Sequence, residues 1–284
     1  MLKKKWASLI VIAVCLLLKS TLFTISYGEE KQERIKIVAT TSMIGNITKA
    51  IGEDQVEVVT IVPSGMCPGH FDICPKDAKL IEEAQVVLEH GFEGELFLDN
   101  MLRSNRNQDL KRLSLKVEGN LMVPEIHLQA VDEIAEFLGA IDPEHNDLFM
   151  LQAAMYKKKV NDLSKEIKQK LKKLNVKKIK VICSKMQAEF LEWLGFTAIA
   201  SYGRQEELSP KDFLEITRIA RKENVKIVID NLQSGSNVGK QLAEDIGGRD
   251  VVLTNFPFGD SYLESLKENV DKVIQACKWA NSLR

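Results

Sequence analysis

What this 284-residue chain lacks narrows its class before any motif is considered. It has no excess of charge of either sign, since 39 Lys and Arg stand against 40 Asp and Glu. That balance leaves no basic field to attract nucleic acid and no acidic tail. Beyond the first 25 residues no apolar run is long enough to cross a bilayer. Low-complexity linkers and short repeats are absent, which excludes solenoid arrays. G-x-S-x-G, the P-loop and the dinucleotide fingerprint do not occur, and no convincing His-Cys-Asp catalytic order is present. Cysteine is scarce, five residues in all, and none has the tight C-x-x-C spacing of a thiol redox enzyme. None of these enzyme signatures is present in the sequence.

What is present begins with a leader. Met1-Leu2-Lys3-Lys4-Lys5 is a charged start, and Trp6 to Leu18 follows with only Ser8 polar, which is the length of a signal-peptide core. Ser26-Tyr27-Gly28 supplies small residues for cleavage. Residues 1–28 are therefore expected to be a signal peptide and 29–34 a charged linker, so the protein is exported. Two alternatives stay open. Cys15 is a lipidation candidate, although Val14 stands where a small residue is usual, and the apolar continuation to Ile25 approaches the length of an uncleaved anchor. Four cysteines remain in the mature chain, Cys67, Cys74, Cys183 and Cys277, and in an oxidising compartment they permit three disulfide pairings.

The remaining residues alternate β-branched apolar runs with helical patterns. Strands are expected at 35–40, 56–62, 86–88, 179–183, 197–200, 225–229 and 251–253, with helices between them. Ser209-Pro210-Lys211-Asp212 is an N-cap with proline at the first helical position, followed by an apolar face at Phe213, Ile216, Ile219 and Ala220. Such alternation predicts parallel sheets covered by helices. Between the two halves, Asp142-Pro143 starts a helix whose apolar residues Leu148, Leu151, Met155, Val160, Leu163, Ile167, Leu171 and Leu174 recur until Asn175. At 1.5 Å per residue it is about 45 Å long. The expected fold is α/β, with two lobes, each a parallel sheet flanked by helices, joined by one long rigid helix. The boundaries are 35–141 for the N-terminal lobe, 142–175 for the connecting helix and 176–284 for the C-terminal lobe.

The densest chemistry lies on the loop Gly65-Met66-Cys67-Pro68-Gly69-His70-Phe71-Asp72-Ile73-Cys74-Pro75-Lys76-Asp77. Two thiols, an imidazole and carboxylates on a loop stiffened by proline suit a metal, while the two cysteines equally suit a disulfide. In open α/β sheets, ligands bind beyond the carboxyl ends of the strands. Those positions hold Thr41-Ser42, the Cys67 to Cys74 loop, Glu89-His90-Gly91, Ser184-Lys185-Met186, Tyr202-Gly203-Arg204, Asp230-Asn231 and Asn255-Phe256-Pro257. If the lobes face each other, these segments line one cleft.

Taken in order, Ile37 to Ile44, Val58 to Gly65, Pro75-Lys76-Asp77, Ala84 to Gly91, Ile141-Asp142-Pro143-Glu144, Leu208-Ser209-Pro210-Lys211 and Tyr262 with Asn269 resemble the zinc and manganese solute-binding proteins of bacterial ABC importers. The resemblance implies a monomeric, non-catalytic carrier, periplasmic or on the cell surface, that holds a transition metal between its lobes and delivers it to an ABC permease. It implies no organic cofactor. Its ligands are three histidines, or two with a carboxylate, plus an aspartate or glutamate. Carried onto this chain, the first falls on Gly69 with His70 adjacent. The second falls before the helix preceding the long one, at Glu125 or His127. The third falls near Met186-Gln187, and the last on Asn255 where aspartate is usual. Asp230 is a replacement anion. The candidate metal set is therefore His70, His127, Glu125, Met186 and Asp230. Thioether, thiolate and imidazole favour zinc as the cargo, with manganese or copper as alternatives. A rival reading keeps the fold and gives the cleft an organic or chelated solute, or an interaction surface.

Overall fold

Val and Ile dominate the central strands, and their side chains are buried on both faces, the pattern of a sheet covered by helices on each side. The computed structural model describes residues 33–235, 237–259 and 261–283; the expected signal peptide and all but the end of the charged linker lie outside the described residues. One sheet is formed by β1 (Ile35–Ala39), β2 (Val56–Thr60), β3 (Val86–His90) and β4 (Lys111–Leu115), in the order β2-β1-β3-β4. The other is formed by β5 (Val181–Ser184), β6 (Ala198–Tyr202), β7 (Ile227–Asn231) and β8 (Arg249–Leu253), in the order β6-β5-β7-β8. Every pairing is parallel, with Ile37 opposite Val58 and Val86, and Ile182 opposite Val228. The two sheets thus repeat one topology, and each has its strand order reversing beside its first strand.

The helices are α1 (Ser42–Gly52), α2 (Pro75–Glu83), α3 (Asp99–Ser104), α4 (Pro124–Ile141), α5 (Asn146–Leu174), α6 (Ala188–Trp193), α7 (Pro210–Lys222), α8 (Asn237–Ile246) and α9 (Tyr262–Ser282). Local chemistry sets their ends. The Asp212 main-chain N–H donates to Ser209 Oγ at 3.2 Å, and Ser209 donates back to Asp212 Oδ2, so α7 starts where the sequence predicts. α5 stops at Asn175, which takes the left-handed conformation at φ 51°, ψ 48°.

The long helix differs from expectation in its first half. A 3-10 turn, Pro143–His145, precedes α5, and the buried stripe runs Phe149, Ala153, Tyr156, Val160, Ser164, Ile167, Leu171. Leu151 and Met155, expected on the apolar face, are exposed. Phe149 and Tyr156 fill the space against the neighbouring helices, and this turns the two smaller residues outward. β4 and α3 are absent from the sequence reading because Lys111-Arg112-Leu113-Ser114-Leu115 is an edge strand, half polar and mostly solvated.

One apolar core runs through both lobes. It includes Ile37 and Leu88 of the first sheet, Val181 and Ile229 of the second, Ile134 of α4, Val160 and Ile167 of α5, and Leu266 and Val270 of α9. Two smaller clusters cover the outer faces of the sheets. α5 packs against α1 and α4 on one side and α9 on the other. Tyr262, the first residue of α9, donates its hydroxyl to the Met122 carbonyl at 3.1 Å, tying the lobes at depth.

Because the core is continuous, the lobes should unfold together. Ile167→Ala leaves a cavity in the shared layer and should cost about 2–5 kcal/mol. Urea denaturation followed by circular dichroism and by tryptophan fluorescence should show one shifted transition with coincident midpoints; two separate transitions would mean that the lobes are independent.

Candidate functional site

The ends of β1 and β3 meet at Thr41 and His90, whose Oγ1 and Nε2 share a 2.9 Å hydrogen bond. The corresponding point of the second sheet is marked by Gln187, which donates to Asn231 Oδ1 at 2.9 Å. Between these two points lies a cleft of about 390 Å³. Its walls are the segments that follow the strands: Cys67, Pro68 and Gly69 after β2, His90 and Phe92 after β3, and Gly119, Asn120 and Leu121 after β4. The second lobe contributes Lys185, Met186 and Glu189 after β5, Arg204 after β6, Asn231, Gln233 and Ser234 after β7, and Asn255 and Phe256 after β8.

Amides bridge the walls. Asn255 Oδ1 accepts from Asn120 Nδ2 at 3.1 Å and from Gln187 Nε2 at 2.8 Å, which uses both of its lone pairs. Asn120 and Asn255 each donate to the Met186 carbonyl at 3.1 Å. Gln233 donates across the cleft to the Ser64 carbonyl at 2.7 Å and to Thr254 Oγ1 at 2.8 Å, and it accepts the Asn255 main-chain N–H at 3.0 Å. The Asn120 main-chain N–H donates to Glu189 Oε2 at 2.6 Å.

The five candidate metal residues have different surroundings. Met186 lines the cleft and is 40% exposed. His70, next to the wall residue Gly69, is exposed, and its Nε2 lies 3.4 Å from Glu206 Oε1 of the other lobe. Glu125 is on the exposed face of α4 and pairs with Lys168 of α5 at 2.7 Å. His127 is fully buried, shares a 2.9 Å hydrogen bond with Tyr156 and stacks on Tyr262 with ring centroids 3.6 Å apart. Burial lowers its pKa to about 3, so it is neutral in the fold. Asp230 is buried beneath the start of α8, accepting main-chain N–H groups of Asn231 at 2.8 Å and Gly239 at 2.9 Å. Among the described residues no three His, Cys, Asp or Glu side chains are grouped to hold a metal ion. Cys67, Cys74, Cys183 and Cys277 are all free thiols, with Cys67 buried at the cleft wall and Cys74 exposed before α2. Sequence reasoning missed Gly119 to Leu121, because the strand that delivers them was not read. A turn at Glu118-Gly119-Asn120 after an alternating Lys-Arg-Leu-Ser-Leu run is the signal that marks them.

Behind His90 is a second layer of polar groups. Glu93 Oε1 lies 3.9 Å from His90 Nε2 and accepts from Thr40 Oγ1 at 3.1 Å, while Glu93 Oε2 has no hydrogen-bond partner. Burial pushes the Glu93 carboxyl up to about 8, and the Glu89 charge adds to the shift. Burial lowers His90 to about 4. Both side chains are therefore neutral near pH 6.5. The folded chain keeps the Glu93 proton to about pH 8 whereas the unfolded chain loses it near 4.5, so stability falls as pH rises through that window. His90 acts in the opposite sense between pH 6.5 and 4, where the unfolded chain takes up a proton that the fold refuses. Above pH 6.5 only the Glu93 effect of this pair operates. Glu93→Gln, which fixes the neutral form, should therefore gain melting temperature over the wild type between pH 6.5 and 8.5. Thermal melts at the two pH values check this, and an unchanged difference would show that Glu93 is ionised in the fold.

The family profile described as "Zinc-uptake complex component A periplasmic" matches residues 37–276. The manganese ABC transporter substrate-binding lipoprotein PsaA of Streptococcus mitis is 22% identical over 278 residues, covering 86% of this chain and 89% of that protein. The high-affinity zinc uptake system protein ZnuA of Bacillus subtilis is 23% identical over 307 residues, covering 94% and 96%. Among solved structures, a crystal structure of ZnuA superposes with a TM-score of 0.74 at 19% identity, covering 86% of this chain and all of that one. The Mn-bound periplasmic metal-binding protein of Candidatus Liberibacter asiaticus gives 0.73 at 20% identity, with 86% and 100% covered. No helix among the described residues is long and apolar enough to cross a membrane. With the profile match over most of its length, this chain belongs to the zinc-uptake component A family, the extracytoplasmic binding components of ABC importers, which are carriers and not enzymes.

Proposed function

We propose that this protein captures a transition metal, zinc ahead of manganese, in the cleft between its lobes and hands it, as a monomer, to an ABC permease. The observation that carries the reading is the facing of two strand-order reversals across one cleft, the position at which parallel sheets bind ligands. The names of the relatives, which specify zinc or manganese uptake, support a metal as the cargo.

The donors at the walls favour zinc. Cys67 offers a thiol and Met186 a thioether, and His70 stands beside Glu206. These are soft or borderline ligands, whereas manganese is best held by several carboxylate oxygens. Glu189, the one carboxylate on the cleft wall among the described residues, already accepts a main-chain N–H. We assign Met186 and His70 as the cargo's protein donors. Glu125, His127 and Asp230 instead keep the ion pair, the aromatic stack and the helix-end contacts described above.

Deletion of the gene in the bacterium that encodes it should lower cell zinc and slow growth in zinc-depleted medium, with growth restored by added zinc. Met186→Ala, at normal expression, should reproduce the defect in part. A growth defect relieved by manganese alone would overturn the zinc preference, and normal metal content under both limitations would overturn the metal-carrier reading.

A further inference from the structure

The charges around the cleft are unlike those expected for a bare cation. Among the described residues its wall carries two side-chain cations, Lys185 and Arg204, and one carboxylate, Glu189, with Glu206 further out beside His70. The Arg204 guanidinium reaches across to the loop after β2. Its Nη1 and Nη2 atoms lie 3.5 and 3.9 Å from where a Cβ on Gly69 would sit, with Cys67 Sγ at 3.6 Å from the same point. The buried Nε of Arg204 has no hydrogen-bond partner. A divalent ion entering beside Cys67 would meet a guanidinium, which repels it.

Size and lining agree with the charge. At about 30 Å³ per water, a cleft of about 390 Å³ holds roughly a dozen water-sized groups, far more than one ion needs. Part of this space exists because Gly119 stands at the wall with φ of +101°. The positive φ strains any side chain there, and a Cβ would also press on the Ile126 side chain at 2.8 Å and on both Glu189 carboxylate oxygens at 2.9 Å, which would have to shift. Phe92, Leu96, Leu121 and Phe256 supply apolar surface, and Asn231 supplies an amide. Cations for acidic groups, an amide for polar atoms and apolar faces for carbon are the fittings of a small organic anion.

We infer that the cargo is taken up as a small anionic chelate of the metal, a multiply carboxylated molecule with the metal bound, and not as the bare ion. Arg204 and Lys185 hold the carboxylates, and the metal's remaining coordination faces Met186 and His70, the donors assigned above. This rests on the metal-carrier reading and specifies the form of the cargo at the same cleft.

The test is calorimetric titration of the mature chain under reducing conditions with zinc chloride, with zinc as its citrate, malate and nitrilotriacetate complexes, and with each chelator alone. At least one zinc complex should bind ten-fold or more tightly than zinc chloride and than its own chelator. Arg204→Gln and Lys185→Gln, each with an unchanged melting temperature, should weaken that complex at least ten-fold while leaving zinc chloride binding equal or stronger. Zinc chloride binding as tightly as every complex would overturn the inference and leave the metal-carrier reading standing. A chelator binding equally well without zinc would overturn both. Unaltered binding of the complex by both variants would overturn the assignment of the cations.

Discussion

The structure depends on a buried seam of aromatic rings between the lobes. His127 of α4 stacks on Tyr262 of α9 and hydrogen-bonds Tyr156 of α5, so the three helices that carry the two sheets meet around one imidazole. Full burial keeps that imidazole neutral, and the stack places two large flat surfaces where a rigid-body slide would expose both. With Val160 and Ile167 continuing the layer along α5, the lobes share a core instead of meeting at an interface. Relative motion is therefore confined to the cleft side of the seam, where the contacts are polar.

This constraint explains why the cleft stands where it does. Two sheets of identical strand order, fixed against one spine, point their carboxyl ends at each other, so every loop that leaves a strand of the second sheet reaches the same space. The chemistry is then set by loop residues alone. In this chain they include four amides, a thiol, a thioether and an imidazole, with Lys185, Arg204 and Glu189 as the charged groups among the described residues. An amide oxygen that already accepts two N–H bonds, as in Asn255, is directed at the protein and not at the cargo. The result is a cleft wall with less negative charge than a bare-ion site requires.

Much of this was legible from residues. Alternation of β-branched runs with capped helices gives the sheets, and Ser209 to Asp212 fixes the start of one helix to the residue. The strand-end segments name most of the cleft wall, including Met186, Arg204 and Asn255. What failed to show had physical causes. An edge strand needs only one buried face, so Lys111 to Leu115 carries no strong pattern, and without it the Gly119 to Leu121 wall goes unseen. His127 is a histidine with helical spacing to an apolar stripe. Sequence alone does not distinguish a ligand from a stacked core residue, because the partners Tyr156 and Tyr262 lie 29 and 135 residues away. Glu125 likewise looks like a free carboxylate until Lys168 is brought beside it by the packing of α4 on α5.

The same geometry sets how the cleft opens. Five described hydrogen bonds join the walls and the segments beside them: Asn120 to Glu189, Met186 and Asn255, Gln233 to the Ser64 carbonyl, and, outside the cleft, Asn46 of α1 to the Gly259 carbonyl. A net value of about 0.5–1.5 kcal/mol for each gives roughly 2–7 kcal/mol for separating the walls, toward the lower end where the groups are solvated. A cost of that size would keep any form with the walls separated a minor population. Opening breaks these bonds and leaves the aromatic seam intact, so it is a tilt about the buried spine and not a separation of lobes. A cargo that supplies acceptors to Asn120 and Gln233 in place of those they lose stabilises the tilted form and the closed form by different amounts. That difference is what a permease can read.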